Sequence, residues 1–332
     1  MKYVIDNLKK IEMCITSTCN LKCKHCYQHF EKNKFIISKE KIVEIIDYAC
    51  VHGCEQIILS GGEVFTRKDI YEILDYIFEK NLDLVLVTNG TLIDLEKIKK
   101  YKHKNILFQI SIDGDEKCHD ERRGNGNYEK TINSIKKLKE LGFKVKANVT
   151  LDNNNYKSIP DIIKNPFFDE VTFLPVANVG AAKLNNFSKS LNELNDCIQM
   201  LYRNVPKTRK LCDKCCIFPN GLSINYDGYV YPCSIARDFK IFPMGNINDC
   251  RINKIIDNFC KKEEALQFFN YTGNNQIKKC NNCSKNNKCN QGCRMRAFKF
   301  FGDMYDCDPF CCKIFNDEYE NIDYADLYWG NK

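Results

Sequence analysis

The first two hundred residues alternate short apolar runs with longer stretches whose apolar positions recur every three to four residues. Strand-like runs fall at Ile11–Thr16, Gln56–Ser60, Leu82–Thr88, Ile106–Ile112, Val145–Thr150 and Val171–Leu174. Helical periodicity covers Ser38–Cys50, Lys68–Lys80, Tyr128–Leu141 and Ile159–Ile163. Ser38 carries the side chain of an N-cap, and Gly142 stands where a helix ending at Leu141 would stop. This alternation predicts a parallel sheet with right-handed crossovers, either doubly wound or curled into a barrel. In both forms, functional residues gather at the carboxyl ends of the strands. A group of cysteines follows the first strand, Ser60–Glu63 (SGGE) the second, Thr88–Gly90 (TNG) ends the third, and Ser111–Gly114 (SIDG) ends the fourth. The polar punctuation therefore shares one rim.

Near residue 205 the pattern breaks: cysteine density rises and the β–α alternation stops. Leu222–Cys233 (LSINYDGYVYPC) reads as two strands joined by an Asp227-Gly228 turn. The expected division is residues 1–205 and 206–332.

Composition narrows the class. In 332 residues, 44% are hydrophobic and 28% charged, the balance of a soluble globular protein. The net charge of +7 is spread along mixed Lys/Glu helices, which leans towards an acidic or peptidic partner and away from nucleic acid. No apolar run approaches a membrane span, and the amino terminus lacks the apolar core of a signal peptide. A cytoplasmic location is therefore expected. In that reducing compartment, 21 cysteines point to metal binding, not disulfides.

Cys19, Cys23 and Cys26 form a CxxxCxxC array. Thiolates are the preferred ligands of iron–sulfur clusters, and this spacing lets one loop wrap three corners of a cube while leaving the fourth open. A zinc site borrowing a distant cysteine is the alternative. Gly61, Gly62 and Glu63 follow strand two; glycines there allow close backbone approach to a ligand. Ser111 and Asp113 share one face at the end of strand four, and Asn148 and Thr150 one face of strand five. Arg122 or Arg123, in HDERRGNG, could pair with a carboxylate. Downstream, Cys280, Cys283, Cys289 and Cys293 form CxxCxxxxxCxxxC, flanked by Cys212, Cys215, Cys216 and Cys233 before and by Cys307, Cys311 and Cys312 after. A pair of structural zinc sites is the alternative there. Cys14, Cys50, Cys54, Cys118, Cys197, Cys250 and Cys260 read as small hydrophobes, and Tyr27 as a packing residue.

With His25 before the last cysteine of the triad and GGE after strand two, the chain resembles the radical S-adenosylmethionine (SAM) superfamily. The carboxyl-terminal cysteines resemble the SPASM extension of its peptide-modifying members, and the likeness spans about residues 10–315. The resemblance implies an α/β fold: a partial (β/α)6 TIM-type barrel with a C-terminal iron–sulfur SPASM domain. It implies three [4Fe–4S] clusters, one catalytic and two auxiliary. The catalytic one, on Cys19, Cys23 and Cys26, would use its open iron to chelate SAM and cleave it to a 5′-deoxyadenosyl radical. Gly61, Gly62, Glu63, Ser111, Asp113, Arg123 and Asn148 would border SAM, with Glu63 accepting from its ammonium, and Tyr27 would pack or contact the adenine through its backbone. Cys233, Cys293 and two of Cys212, Cys215 and Cys216 would hold the first auxiliary cluster, and Cys280, Cys283, Cys289 and Cys311 the second.

The same resemblance implies hydrogen abstraction from a ribosomally made peptide, giving a crosslink, an epimer or an oxidation. The alternatives are small-molecule cofactor or tetrapyrrole maturation, or a non-catalytic electron carrier. A flavodoxin- or ferredoxin-type electron donor would be needed. The chain begins eighteen residues before Cys19, so a separate leader-binding protein or the cavity itself would recognise a leader. Ser234 stands where sulfatase-maturing relatives carry an aspartate base, which argues against that activity.

Overall fold

The computed structural model describes residues 8–26, 34–152, 154–175, 181, 217–269, 277, 280, 292–306 and 308. All six expected strands form: β1 (Lys10–Cys14), β2 (Gln56–Ser60), β3 (Asp83–Thr88), β4 (Ile106–Ser111), β5 (Lys144–Leu151) and β6 (Glu170–Pro175). They lie side by side in chain order and every neighbouring pair is parallel. This order settles the choice left by periodicity. A doubly wound sheet reverses at a switch point. One that never reverses, with right-handed crossovers throughout, puts its helices on one face and leaves the other for a barrel interior.

Side-chain alternation follows. Ile57 and Leu59, Leu84 and Leu86, and Ile106, Phe108 and Ile110 are buried in the helix-side core, with Val145 of β5 joining them. Ala147, Val149 and Leu151 continue that face into a second apolar cluster. Burying each large aliphatic side chain contributes about 1.5–3 kcal/mol, so this face drives assembly. The alternate positions carry Glu12, Ser60, Gln109, Ser111, Asn148, Thr150 and Thr172, an unusually polar surface for the interior of a sheet.

The covering helices are α1 (Lys39–Val51), α2 (Ile70–Glu79), α3 (Leu95–Ile98), α4 (Glu116–Arg123), α5 (Asn127–Glu140) and α6 (Ile159–Lys164). Ser38 caps α1 as expected, its hydroxyl accepting from the Lys41 amide. Gly142, at φ 85°, follows the end of α5. The sequence pattern did not show α4, because HDERR has no apolar stripe. The helix is set instead by its caps: Asp115 accepts from the Cys118 amide, and Gly124 ends it at φ 100°.

The hairpin expected at Leu222–Cys233 also forms, as β7 (Gly221–Ile224) and β8 (Tyr229–Tyr231), antiparallel. Periodicity could not reveal that β7 pairs in parallel with β1, on the side away from β2. With β9 (Gly245–Asn246), the described residues build one sheet of nine strands. Then come α7 (Ser234–Phe239), α8 (Ile252–Phe259), α9 (Glu263–Phe269) and α10 (Arg294–Phe301). Their apolar residues Ile255, Phe259, Phe268 and Met295 share one core cluster with β1 and α1. Phe218 seals the junction edge-on against Phe259, ring centroids 5.6 Å apart. The boundary expected near 205 lies outside the described residues. Among the described residues no helix is long and apolar enough to cross a membrane.

Candidate active site

Beyond β1 the chain runs through Cys19, Cys23 and Cys26 with no regular structure of its own. Its path is imposed by neighbours. Arg67, buried and paired with Asp69, donates from Nη1 to the carbonyls of Ile15 (2.8 Å) and Ile37 (2.6 Å). From the side of β2, the Gly62 and Glu63 amides donate to the carbonyls of Thr16 (2.7 Å) and Thr18 (2.8 Å). This contact explains the glycines. A Cβ on Gly61 would lie 2.3 Å from the Thr16 oxygen, and one on Gly62 2.3 Å from the Thr18 oxygen. In the fold these glycines admit the backbone of the cysteine loop.

Glu63 is fully buried. Its carboxylate accepts from the Thr88 hydroxyl (2.7 Å), the Asn89 amide (2.7 Å) and the Phe65 amide (3.2 Å). Burial pushes its pKa up, and these donors with Arg123 pull it back. Three of about four acceptor sites are thus taken by the protein itself. The carboxylate ties the end of β3 to the turn after β2. From there the TNG segment reaches the triad: Asn89 Nδ2 donates to Asn20 Oδ1 (2.9 Å) and lies 4.0 Å from Cys19 Sγ. The TNG stretch was visible in the sequence as strand-end punctuation, but its target was not.

On the opposite flank, Asp113 just past β4 is fully buried. Arg123 Nε donates to its Oδ2 at 2.6 Å, and the Thr150 amide to its Oδ1 at 3.1 Å. Burial alone would raise Asp113, but Arg123, His25 and Arg122 hold it well below the usual carboxylate range. Arg123 extends inward as well: Nη2 donates to His25 Nε2 (3.2 Å) and Nη1 lies 4.0 Å from Cys23 Sγ. Burial pushes His25 down to about 3, while Asp113, 3.3 Å from its Nε2, pulls it up. Arg122 donates to the Thr150 carbonyl (2.7 Å) and pairs with Asp152. Of the two candidate arginines, both are buried and both are committed to protein partners.

Ser111 and Asn148 are register partners on β4 and β5, on the face away from the helices. Asn148 Oδ1 is buried and has no hydrogen-bond partner among the described residues. Lower on this face Arg237 of α7 is buried, with Nη1 on Glu12 (2.7 Å), Cys14 Sγ (3.1 Å) and Ser223 (3.2 Å). Cys14 is thus a polar contact as well as a core residue. Arg237 sits one helical turn beyond Cys233, the N-cap of α7, so it fastens that cysteine's segment to β1. Cys293 caps α10, its amide donating to Asp308 (2.6 Å). Cys280 is buried. Cys212, Cys215, Cys216, Cys283, Cys289, Cys307, Cys311, Cys312 and Tyr27 lie outside the described residues. Outside the triad, an open groove of about 1100 Å³ runs between Lys22 and Lys24 of the loop and α4.

The donor set of the triad fits a polythiolate cluster. Cys19 Sγ receives the Leu21 amide (3.4 Å) and the Asn89 side chain, and Cys23 Sγ faces Arg123. N–H groups aimed at ligand sulfurs are what stabilises such a group. Burial pushes the Cys19 thiol up to about 11, so loading must release protons. Among the described residues no three His, Cys, Asp or Glu side chains gather closely enough to hold one metal ion. A cube differs in taking its thiolates at separate corners.

Comparison with known proteins agrees. A family model of the radical SAM superfamily matches residues 13–165, and one of an iron–sulfur cluster-binding domain, SPASM, matches residues 212–284. An AdoMet-dependent heme synthase of Nitratidesulfovibrio vulgaris is 29% identical over 91% of this chain and 92% of its own length. The antilisterial bacteriocin subtilosin biosynthesis protein AlbA of Bacillus subtilis is 28% identical over 70% of this chain and 56% of its own. The crystal structure of Streptococcus suis SuiB bound to S-adenosylmethionine superposes with a TM-score of 0.69 at 17% identity, covering 92% of this chain and 77% of that one.

Proposed function

For a chain that carries a radical SAM domain followed by a SPASM domain, and is thereby a radical SAM/SPASM protein, we propose a SAM-cleaving enzyme that abstracts hydrogen from a peptide. The two domains imply four-iron clusters. The carrying observation is the loop of three thiols at the end of β1, its sulfurs faced by N–H donors from Leu21, Asn89 and Arg123. When bound, cluster and SAM supply one electron and a 5′-deoxyadenosyl radical. Cys19, Cys23 and Cys26 would hold the catalytic cluster. Gly61–Glu63 fix the loop, and Asp113 holds Arg123 beside Cys23. Ser111 and Asn148 would border SAM; the buried, unpartnered Asn148 Oδ1 is an acceptor that supports this. Cys233, Cys280 and Cys293, with cysteines outside the described residues, would hold the auxiliary clusters, in a SPASM unit beginning near residue 206.

A peptide substrate is supported by the likeness to the antilisterial bacteriocin subtilosin biosynthesis protein AlbA. The likeness to a heme synthase over nearly the whole of both chains favours a second reading, a tetrapyrrole substrate. An electron donor of the flavodoxin or ferredoxin type and a separate leader-binding protein would be the partners.

Anaerobic purification should yield about twelve irons per chain, and reduction with SAM should release 5′-deoxyadenosine. Replacing Cys19, Cys23 and Cys26 with Ala should abolish that release. Stoichiometric zinc, or a loaded and reduced protein that leaves SAM intact, would overturn the proposal. A mass change in a co-expressed peptide, against one in a tetrapyrrole, separates the two substrates.

A further inference from the structure

Among the described residues near the triad, Asn89 has every polar group engaged, and the SAM reading gives it no role. Its backbone amide donates to Glu63 Oε2 (2.7 Å), and its carbonyl accepts from the Thr131 hydroxyl (3.0 Å). Its Oδ1 accepts twice from Thr91, from the amide (2.9 Å) and the hydroxyl (2.7 Å). These contacts fix which way the amide plane faces, and so where its two N–H bonds point. One is taken by Asn20 Oδ1 (2.9 Å). The other faces Cys19 Sγ at 4.0 Å, the outer reach of an N–H to sulfur. Asn20 is itself held, its Nδ2 donating to Thr91 Oγ1 (2.9 Å). Every hydrogen-bonding group of Asn89 is therefore committed, and one commitment is to a ligand sulfur.

We propose that Asn89 is a positioning residue that directs a side-chain N–H at the Cys19 thiolate and thereby raises the reduction potential of the cluster held by Cys19, Cys23 and Cys26. The inference rests on the cluster assignment above. A donor on a ligand sulfur withdraws negative charge and favours the reduced state, which carries one more electron. Replacing that donor with an apolar group lowers the potential. Replacing it with a carboxylate oxygen lowers it further, because a negative charge then faces the sulfur. Thr91 and Asn20 act through Asn89 and should move the potential less, in the same direction.

The test is a redox titration of the reconstituted full-length protein, read by the electron paramagnetic resonance signal that changes when SAM is added. That signal reports the cluster with the open iron without disturbing the others. Asn89→Ala should shift the reduced-to-oxidised ratio at fixed potential by roughly tenfold towards oxidised, which for one electron is about 59 mV. Asn89→Asp should shift it further and Thr91→Val less. An unchanged potential in Asn89→Ala, with the SAM-sensitive signal present, overturns the inference and leaves the cluster assignment standing. Absence of that signal in the unmodified, iron-loaded protein overturns the assignment instead. Should Asn89→Ala take up too little iron to titrate, Thr91→Val and Asn20→Ala decide: a lowered potential in both supports the inference, and an unchanged one overturns it.

Discussion

Gly62→Ala is the sharpest perturbation of the cysteine loop, because it adds one methyl group and no charge. That carbon would sit 2.3 Å from the Thr18 carbonyl oxygen and 2.6 Å from its carbon, where ordinary contact begins at 3.4 Å. Backbone must retreat by about 1 Å, since neither neighbour is a flexible side-chain tip. The retreat breaks the bonds from the Gly62 amide to Thr16 (2.7 Å) and from the Glu63 amide to Thr18 (2.8 Å). Each contributes about 0.5–1.5 kcal/mol net, and overpacking costs a further 1–3 kcal/mol or so. The sum is about 2–6 kcal/mol, concentrated within a few residues of Cys19. Gly142→Ala is the control: Gly142 has φ 85° and nothing within 4 Å of a Cβ, so only the roughly 1–2 kcal/mol left-handed penalty applies. The assays are thermal unfolding of the metal-free protein and iron counting after anaerobic reconstitution. Gly62→Ala should unfold at lower temperature than the control and lose iron that the control retains. Equal iron and a Tm within a degree of Gly142→Ala would refute the claim that this glycine seats the loop.

Asp113→Asn should destabilise by about 3–5 kcal/mol, since it leaves the buried Arg123 without its counter-ion. Asp113 is depressed in the fold, so its contribution is complete above the ordinary carboxylate value of about 3.9 and fades as pH falls below it. The difference between the two proteins, followed by chemical denaturation, should therefore be constant from about pH 8 to 5 and narrow only in acid. Arg237→Met should cost about 2–3 kcal/mol through the lost bonds to Glu12 and Ser223, discounted because Glu12 is part-exposed. Glu12→Gln should cost less, and a larger loss for Glu12→Gln by the same denaturation assay would contradict the assignment of Arg237 as the buried partner. Val51→Ala, at an 81% exposed apolar position, should change stability by less than about 0.5 kcal/mol and serves as a surface control.

Much of the fold was legible because its signal is local. Strands such as Ile106–Ser111 bury every second residue, and a helix such as α2 repeats Ile70, Ile73, Leu74 and Ile77 along one face. Helix α4 escaped because caps and buried charges stabilise it, and neither leaves a periodic trace. The parallel pairing of β7 with β1 escaped for another reason: Lys10 and Gly221 meet across more than two hundred residues, and no local pattern encodes a partner that distant. The site divides in the same way. The triad and GGE are spacing motifs and could be read directly. The partners of Glu63 and Arg123 depend on which strand ends become neighbours, which only the strand order decides.

That dependence explains why the polar residues crowd one rim. A loop without helix or ladder bonds cannot hold three sulfurs in place by itself, so the rigidity comes from elements that end beside it. The turn after β2 binds its backbone through Gly62 and Glu63, the segment after β3 reaches Cys19 through Asn89, and α4 reaches Cys23 through Arg123. Two buried carboxylates organise these contacts: Glu63 fixes the Asn89 backbone, and Asp113 fixes Arg123. Each buried charge would be costly alone, and each is tolerated because its donors are the groups that support the loop. Stability of the rim and geometry of the sulfurs are thus carried by the same hydrogen bonds, so a substitution that loosens one should loosen the other.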